Sequence, residues 1–229
     1  MTARQWLIGA ASVCAATMAA LSSAPARTPA KPDACAPEPG RVIACIKPSV
    51  TDPAIERFDS RHYILFNANT GPGGNLLVFL PGTHGTPPGP RRFLKAAADA
   101  GYRVISLDYN DEPATNVYCP RRPDPNCTEK FRRMRIYGDG TLNPRIDNTP
   151  AESIVNRLVK LLQYLDRQEP QQKWGDYLKD GAPNWARIAL AGQSQGAGMA
   201  AFLAQRHEVA RVILFSSPRD FTLTDGHVR

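Results

Sequence analysis

The sequence predicts an α/β protein whose mostly parallel sheet is covered by helices on both faces. Short apolar runs of strand length alternate along the chain with segments of helical periodicity. Uninterrupted apolar runs of this kind are typical of parallel strands, because helical crossovers bury both faces of such a sheet. A Gly-x-Ser-x-Gly turn centred on Ser194 also joins one apolar run to an alanine-rich helical segment. A turn of this type leads from a strand directly into a helix.

The first 26 residues have the pattern of an export signal. Arg4 gives a basic start, Leu7 to Leu21 carries no charge, and Ala24-Pro25-Ala26 matches a cleavage site. A retained membrane anchor is the alternative, although about 20 apolar residues are normally needed to cross a bilayer. We expect an exported protein, periplasmic or extracellular, with no stable membrane insertion after the signal is cleaved.

One domain can account for the rest of the chain. About 203 residues remain after residue 26, which is enough for one sizeable core. The Pro-rich stretch 27–60 is aperiodic and is expected to be an exposed N-terminal extension, and the folded domain is expected over 61–229. The net charge of +7 is spread over many sites, without a basic stripe interleaved with aromatic residues. The sequence therefore predicts no nucleic-acid partner.

The four cysteines after the signal fall into two near pairs, Cys35 with Cys45 and Cys119 with Cys127. Export would place them in an oxidising compartment, where an even number of cysteines in Pro-rich loops favours two local disulfides. Zinc binding is the alternative. No histidine lies at a spacing typical of a zinc site, so we expect the two disulfides and no metal.

Five apolar runs are predicted to be strands, and the turn Gly71-Pro-Gly-Gly74 between the first two predicts a hairpin. The runs are 61–66, 75–80, 102–107, 187–191 and 209–216. Three segments have helical periodicity, at 90–100, 149–165 and 195–205. The second of these helices starts with Thr149-Pro-Ala-Glu152, a capping box with proline at the first helical position.

Residues 110–148 interrupt this alternation. The segment is rich in Pro, Asn and Asp and contains the second cysteine pair, and it is expected to be an irregular insertion. It is also basic, through Arg121, Arg122, Lys130, Arg132, Arg133 and Arg135. Because Ser194 would open at the carboxyl ends of the strands, the insertion is expected to lie over that rim.

The spacing around Ser194 has a steric reason. A sharp turn from strand to helix brings backbone segments close together, and Gly192 and Gly196 are small enough to allow the approach. The turn places the serine hydroxyl at a helix N-terminus, where free amide groups and the helix dipole favour an oxyanion. The pentapeptide alone is a weak signal, so the prediction depends on the strand and the helix that flank it.

From about Arg61 to Asp220 the chain resembles the α/β-hydrolases, a family of serine hydrolases that includes esterases and lipases. The resemblance rests on the order strand, loop, helix, strand, helix, strand, GQSQG elbow, helix and strand. It implies an α/β-hydrolase-like fold in which Ser194 is the nucleophile and the backbone amide of Gln195 donates to the oxyanion. It also implies a small-molecule or acyl-ester substrate and no cofactor.

The second oxyanion donor is implied in the loop after the second predicted strand, Pro81-Gly-Thr-His-Gly85. Thr83 is the first candidate, and Gly82 and His84 are the alternatives. A serine hydroxyl becomes a good nucleophile only when a base removes its proton, and the oxyanion is costly unless donors are aimed at it. Nucleophile, base and donors are therefore needed together.

The acid and the base are less well defined. In the family the acid follows a later strand and the histidine follows the last one, which makes Asp220 the candidate acid and His227 the candidate base. A capped surface turn is the alternative for Asp220. Seven positions separate the two residues, too few for the strands that normally intervene. We therefore expect a C-terminally truncated chain that lacks its last strands and its catalytic histidine.

Three other features have simpler explanations. His62 and His207 are expected to be solvated, and His84 to orient its loop. The stretch from Gly196 to Ala201 fits a dinucleotide fingerprint, but its first glycine lies four residues late, and tight packing of the helix on the sheet explains its small residues. The basic insertion is compatible with a lid that admits an anionic or polymeric ester, or with a solvated loop pinned by a disulfide.

Two functions follow from these observations. The first is an exported serine hydrolase that cleaves a carboxylic ester or related acyl bond through a Ser194 acyl-enzyme. The second is a catalytically inactive α/β-hydrolase-like binding domain, or a truncated fragment, without the histidine of the triad.

Overall fold

The computed structural model describes residues 33–120 and 122–218, and the backbone of 223–224 and 227–228. The predicted export signal and Asp220 lie outside the described residues. The strands are β1 Arg41–Ile46, β2 His62–Asn67, β3 Leu76–Leu80, β4 Arg103–Ser106, β5 Leu178–Lys179, β6 Ala182–Pro183, β7 Ile188–Gln193, β8 Arg211–Phe215, β9 Leu223–Thr224 and β10 His227–Val228. The α-helices are α1 Pro48–Thr51, α2 Arg91–Asp99, α3 Thr115–Tyr118, α4 Cys127–Tyr137, α5 Ile154–Gln168 and α6 Gln195–Arg206.

Six strands form the central sheet, in the order β1-β2-β4-β3-β7-β8. Strands β3, β4, β7 and β8 are parallel to one another, whereas β2 is antiparallel to both of its neighbours. Two short antiparallel ribbons, β5 with β6 and β9 with β10, lie outside this sheet. The mostly parallel sheet that the alternation of strands and helices predicts is confirmed.

The first part of the sheet differs from the prediction. β2 and β3 do not form a hairpin, because β4 lies between them. The antiparallel partner of β2 is instead β1, which lies within the stretch 27–60 that the sequence predicts to be an exposed extension. All six residues of β1 are partly exposed. An edge strand of this kind, surrounded by proline, gives little periodic signal.

Helices pack on both faces of the sheet. On one face, Leu77 of β3 packs in a cluster with Leu94 of α2. On the other face, Val78 packs in a cluster with Leu158 of α5 and Leu203 of α6. Successive residues of β3 therefore face different helices, as expected of a strand buried on both sides. Burial of each such side chain stabilises the fold by roughly 1.5–3 kcal/mol.

Helix α5 begins later than the capping box predicts. Its N-cap is Ser153, whose side chain accepts a hydrogen bond of 3.2 Å from the backbone amide three residues further on. Glu152 instead accepts from the backbone amides of Glu56 and Arg57, at 2.8 Å each, and pairs with the buried guanidinium of Arg157. Glu152 therefore binds residues that are distant in the sequence and does not cap α5.

The insertion 110–148 is not wholly irregular, because it contains α3 and α4. The disulfide Cys119–Cys127 joins the end of α3 to the start of α4. Arg135 of α4 is fully buried and donates to the backbone carbonyls of Asn110 and Glu112, and its burial lowers its pKa to about 10. The insertion is thus packed into the domain and is not the solvated loop that its composition allows.

Strand β8 lies at the end of the sheet in the described part of the chain. Its side chains Val212 and Phe215 are 40% and 39% exposed, whereas the sequence predicts a buried strand. At the opposite end of the sheet, the disulfide Cys35–Cys45 ties the preceding segment to β1. Among the described residues, no helix is long and apolar enough to cross a membrane, and no group of three or more His, Cys, Asp or Glu side chains could hold a metal ion.

Candidate active site

The carboxyl ends of β3 and β7 lie side by side in the middle of the sheet. From β3 the chain crosses to β4 on one side, whereas from β7 it crosses to β8 on the other. Open α/β sheets bind ligands in the crevice where the strand order reverses in this way. The loop after β3 and the turn at Ser194 both border this crevice.

Ser194 has a backbone conformation that residues other than glycine rarely adopt, with φ 51° and ψ −118°. It lies between β7 and α6, its side chain is exposed, and its amide donates to the carbonyl of Phe215 over 2.8 Å. A Cβ on Gly192 would overlap the carbonyl group of Gly196, which explains the first glycine of the motif. Strain of this kind costs about 1–3 kcal/mol and clusters at functional sites. The strand-turn-helix elbow is present.

Two glycines bring the loop after β3 against the elbow. A Cβ on Gly196 would overlap the carbonyl oxygens of Leu80 and Pro81. A Cβ on Gly82 would lie only 3.2 Å from the Cβ of Ser194. The absence of side chains at both positions therefore allows the loop to lie directly beside the serine.

Thr83 and Gln195 belong to the two segments that Gly82 and Gly196 bring together. The Gln195 amide is in the first turn of α6, where amides have no intrahelical acceptor. A hydrogen bond of 2.7 Å from the Gly85 amide to the Gly82 carbonyl closes a tight turn around Thr83. Neither the Thr83 nor the Gln195 amide donates to a backbone carbonyl within the described part of the chain. Both can donate to a ligand.

Side chains hold these two loops in place. The Gln195 side chain accepts from the Thr115 amide over 3.0 Å and donates to the Asp111 carbonyl over 2.7 Å. The Tyr109 hydroxyl donates to the Pro81 carbonyl over 2.6 Å, and burial raises the pKa of Tyr109, so the hydroxyl stays protonated. The elbow is therefore fastened to the insertion, and the loop after β3 is fastened to the chain that follows β4.

A small pocket of about 30 Å³ lies beside Ser194. It is lined by Thr115, Asn116, Arg132, Gln195, Ser216 and Ser217. The first three of these belong to the insertion, which thus reaches the rim of the sheet where the sequence predicts it. A larger recess, of about 450 Å³, lies between Thr83 and Val117.

Arg132 explains a second small residue of the elbow helix. Its side chain is buried and lies against Gly198, where a Cβ would overlap the Nη2 atom and lie 3.1 Å from Cζ. The sequence predicts that packing on the sheet explains both Gly196 and Gly198. The structure supports this for Gly196 alone, because Gly198 makes room for a guanidinium of the insertion.

Two histidines lie near the crevice but do not line the Ser194 pocket. His84, in the loop after β3, is exposed, has a φ of 59° and pairs through Nδ1 with the Glu112 carboxylate. His62 is fully buried, whereas the sequence predicts a solvated side chain. Its Nδ1 accepts from the Asp108 amide over 3.0 Å, and burial, together with the positive charge of Arg157, lowers its pKa to about 3.

The other two histidines do not complete the site either. His207 lies beyond the far end of α6, roughly 18 Å from its start at 1.5 Å per residue. It stacks on Trp185 and hydrogen-bonds to the Tyr137 hydroxyl at 2.9 Å, so it is packed and not simply solvated. Only the backbone of His227 is described, in β10. Among the described side chains, no histidine lines the Ser194 pocket.

Sequence reasoning missed two carboxylates beside the crevice, Asp108 and Asp111. They line a recess of about 220 Å³ that also includes His84. Burial raises the pKa of Asp108 to about 6, and burial together with the neighbouring Glu112 raises the pKa of Asp111. Both residues closely follow a predicted strand, and this position is the sequence feature that could have identified them.

Solved structures similar to this chain include a bacterial heroin esterase, with 18% identity and a TM-score of 0.38 over 77% of this chain and 44% of that one. Esterase B from Lactobacillus rhamnosis has 14% identity and a TM-score of 0.38, over 76% and 46%. Est2, an esterase from Thermogutta terrifontis, has 17% identity and a TM-score of 0.36, over 71% and 43%. The chain thus spans less than half of the length of these structures. No protein-family model and no curated protein matches the sequence.

The fold can be identified from the sheet itself. The second strand is antiparallel in an otherwise parallel central sheet, the first crossover helix packs on one face, and the later helices pack on the other. The serine elbow follows the strand beside β3, and the loop after β3 lies against it. The described chain has the architecture and the serine elbow of the α/β-hydrolase fold.

Proposed function

We propose that this protein is an exported serine hydrolase that cleaves a carboxylic ester, or a related acyl bond, through an acyl-enzyme at Ser194. The observation that best supports this is the strained Ser194 at the N-terminus of α6, with the loop after β3 packed against it. The serine oxygen attacks the carbonyl carbon, the alcohol leaves with the serine proton, and water then hydrolyses the acyl-serine.

The amides of Gln195 and Thr83 are the proposed donors to the tetrahedral oxyanion. Donors held in place before the reaction stabilise the developing charge without reorganisation, and loss of one such donor typically slows the reaction about 10²–10³-fold. The turn around Thr83 and the first turn of α6 supply this rigidity through backbone bonds. The larger recess beside Thr83, with Ala114 and Val117 in its wall, would hold the acyl or alcohol chain.

The base is proposed from sequence order. His227 is the candidate base and Asp220 the candidate acid, since both follow β8. The pair His84–Glu112 is the alternative source of a base, because a carboxylate already orients that imidazole. Export is proposed from the sequence pattern of residues 1–26 and is supported by the two disulfides, which persist in oxidising compartments.

A specific observation favours a second function. Since no described histidine lines the Ser194 pocket, the chain could instead be a binding domain that keeps the elbow without a working base. Such a domain would bind acyl compounds at the crevice without turning them over.

Fluorophosphonate labelling of the purified chain separates the two functions. The hydrolase should be labelled at Ser194 and should hydrolyse a short p-nitrophenyl ester, and Ser194→Ala should abolish both. The variants His227→Asn and His84→Asn, assayed side by side, assign the base to the one whose loss removes turnover. Folded protein, checked by near-ultraviolet circular dichroism, that shows no Ser194-dependent label would exclude the hydrolase and favour the binding domain.

A further inference from the structure

The larger recess beside Thr83 contains two arginines in its lining, Arg57 and Arg145, and both are exposed. Arg57 donates from Nη1 to the backbone carbonyl of Asp147 over 3.1 Å, which leaves its other guanidinium nitrogens available. Within the described part of the chain, neither arginine forms an ion pair with a carboxylate. The recess therefore has two guanidinium groups that can receive an anion.

The loop that carries Arg145 explains why its charge is not compensated locally. The carboxylate nearest to it in the sequence is Asp147, whose Oδ1 accepts from the backbone amides of Leu142 and Asn143 at 2.9 Å each. The Arg145 amide donates to Oδ1 of Asn143 over 2.9 Å, which fixes the same turn. Because Arg57 donates to the Asp147 carbonyl, both arginines are attached to this loop.

The charge of the lining favours an anionic ligand. Glu112 is the only carboxylate among the described lining residues, and it pairs with Nδ1 of His84. Two like charges that share one recess repel each other, and an anion between them relieves the repulsion. The remaining wall is largely apolar, and Val117 of α3 is 67% exposed. The apolar lining residues are Phe58, Pro113, Ala114, Val117 and Ile146.

We propose that this recess selects esters whose acyl or alcohol part is an apolar chain ending in a carboxylate, and that Arg57 and Arg145 bind this carboxylate. The proposal rests on the proposed function. A guanidinium presents a planar fork of donors that matches a carboxylate. At about 450 Å³ the recess is within the size range of small-molecule sites, whereas the pocket of about 30 Å³ beside Ser194 has room for water but not for such a chain.

Matched esters distinguish an acidic acyl chain from an acidic alcohol. In the first arm, the 4-nitrophenyl monoester of suberic acid is compared with its neutral methylamide by nitrophenol release. In the second arm, 8-acetoxyoctanoate is compared with its neutral methylamide by acetate release. Ser194→Ala gives the background rate in each arm. Since exposed ion pairs are individually weak and are screened by salt, we expect kcat/KM of the acidic ester to be higher by about fivefold at low ionic strength, in one of the two arms.

Arginine variants test whether the recess causes this preference. Arg57→Met and Arg145→Met should each lower it about twofold, and the double variant should abolish it by slowing the acidic ester relative to the neutral one. Arg92→Met removes an exposed arginine of α2 that does not line the recess, so it controls for overall charge and should keep the preference. Equal rates for the acidic and neutral esters in both arms, or a preference that survives in the folded double variant, would overturn the carboxylate site. An equal loss in Arg92→Met would also overturn it.

Suberate binding provides a readout that does not need turnover. Ligand-observed NMR titration of the Ser194→Ala protein with suberate should detect binding, and replacement of both Arg57 and Arg145 should weaken it about fivefold, whereas Arg92→Met should not. Binding that depends on the two arginines in a chain without Ser194-dependent hydrolysis would support the carboxylate site and overturn the proposed function. In a chain with Ser194-dependent hydrolysis, the absence of suberate binding, or binding insensitive to both arginines, would overturn the carboxylate site alone.

Discussion

The side chain of Gln195 accepts a hydrogen bond from the backbone amide of Thr115 over 3.0 Å, which ties the residue after Ser194 to the insertion. Its amide group also donates to the Asp111 carbonyl over 2.7 Å, and both contacts are buried. In the proposed oxyanion site only the backbone of Gln195 is needed. The side chain thus has a separate role, which is to hold the wall formed by α3 next to the serine.

Gln195→Ala should therefore affect stability more than chemistry. It leaves the Thr115 amide and the Asp111 carbonyl unpaired, at about 1–3 kcal/mol each if water does not replace the bonds. Urea unfolding should show the loss, and Ser194 should still react with a fluorophosphonate because the backbone amide remains. Gln205→Ala, at an exposed position of the same helix, is the control. Equal stability of the two variants would contradict a supporting role of the Gln195 side chain.

Gly196→Ala should disrupt the elbow. The added methyl group would overlap the carbonyl oxygens of Leu80 and Pro81, so the loop after β3 and α6 must move apart. Overpacking of this kind typically costs about 1–3 kcal/mol. We expect a lower melting temperature and loss of Ser194 labelling.

The matched control is Gly71→Ala, because a Cβ on Gly71 meets no atom within 4 Å among the described residues. Its stability should stay within about 0.5 kcal/mol of the unmodified chain, as is usual for surface changes. A Gly196→Ala protein as stable and as reactive as Gly71→Ala would show that the loop can shift at no cost.

Local sterics made the elbow predictable from the sequence. The two glycines around Ser194, the apolar strand before it and the alanine-rich helix after it all lie within about twenty residues. Strands β3 and β4 and helix α2 were also predictable from nearby residues, because their apolar patterns are continuous. Features that depend on distant partners were not predictable. Glu152 fits a capping box by sequence, yet its carboxylate accepts hydrogen bonds from backbone amides almost a hundred residues away.

Buried charged side chains explain why the sequence does not predict helix α4. Helix α4 buries Arg132 and Arg135 beside Phe131 and Met134, so its buried face does not show as an apolar stripe. The guanidinium of Arg135 is accommodated because backbone carbonyls of a distant segment accept its hydrogen bonds. A sequence pattern cannot reveal such acceptors, and it therefore favours a solvated loop.

The two disulfides should contribute similar stability but differ in their effect on the site. They close rings of similar size, with sequence separations of 10 and 8, so each should stabilise the fold by about 2–3 kcal/mol in the chain-entropy model. Only Cys119–Cys127 joins α3, which carries Thr115 and borders the Ser194 pocket.

Double alanine variants of each pair test this difference. Replacing Cys119 and Cys127 should raise KM for a short ester several-fold, because the pocket wall is no longer tied to α4. Replacing Cys35 and Cys45, at the far edge of the sheet, should leave KM unchanged with a similar loss of stability. If both variants change KM equally, the disulfide of the insertion has no local role at the pocket.

His62 should make stability depend on pH in the mildly acidic range. The neutral imidazole accepts from the Asp108 amide at Nδ1, so its proton lies on Nε2. Burial lowers its pKa to about 3, whereas an unfolded histidine titrates near 6.5. Between these values the unfolded chain binds more protons, so the His62 contribution to stability grows with pH, by up to about 1.4 kcal/mol per unit, and is complete above pH 6.5.

Asp108 changes stability with pH in the opposite direction, so the contributions of His62 and Asp108 can be measured separately. Burial raises its pKa to about 6 from 3.8, so the folded chain binds more protons between these values and this contribution falls as pH rises. Urea unfolding from pH 4 to 8 should show the stability difference between the unmodified chain and His62→Asn increasing with pH up to 6.5. The corresponding difference for Asp108→Asn should decrease up to about pH 6. Parallel stability curves for all three proteins would show that neither group titrates differently in the folded and unfolded chains.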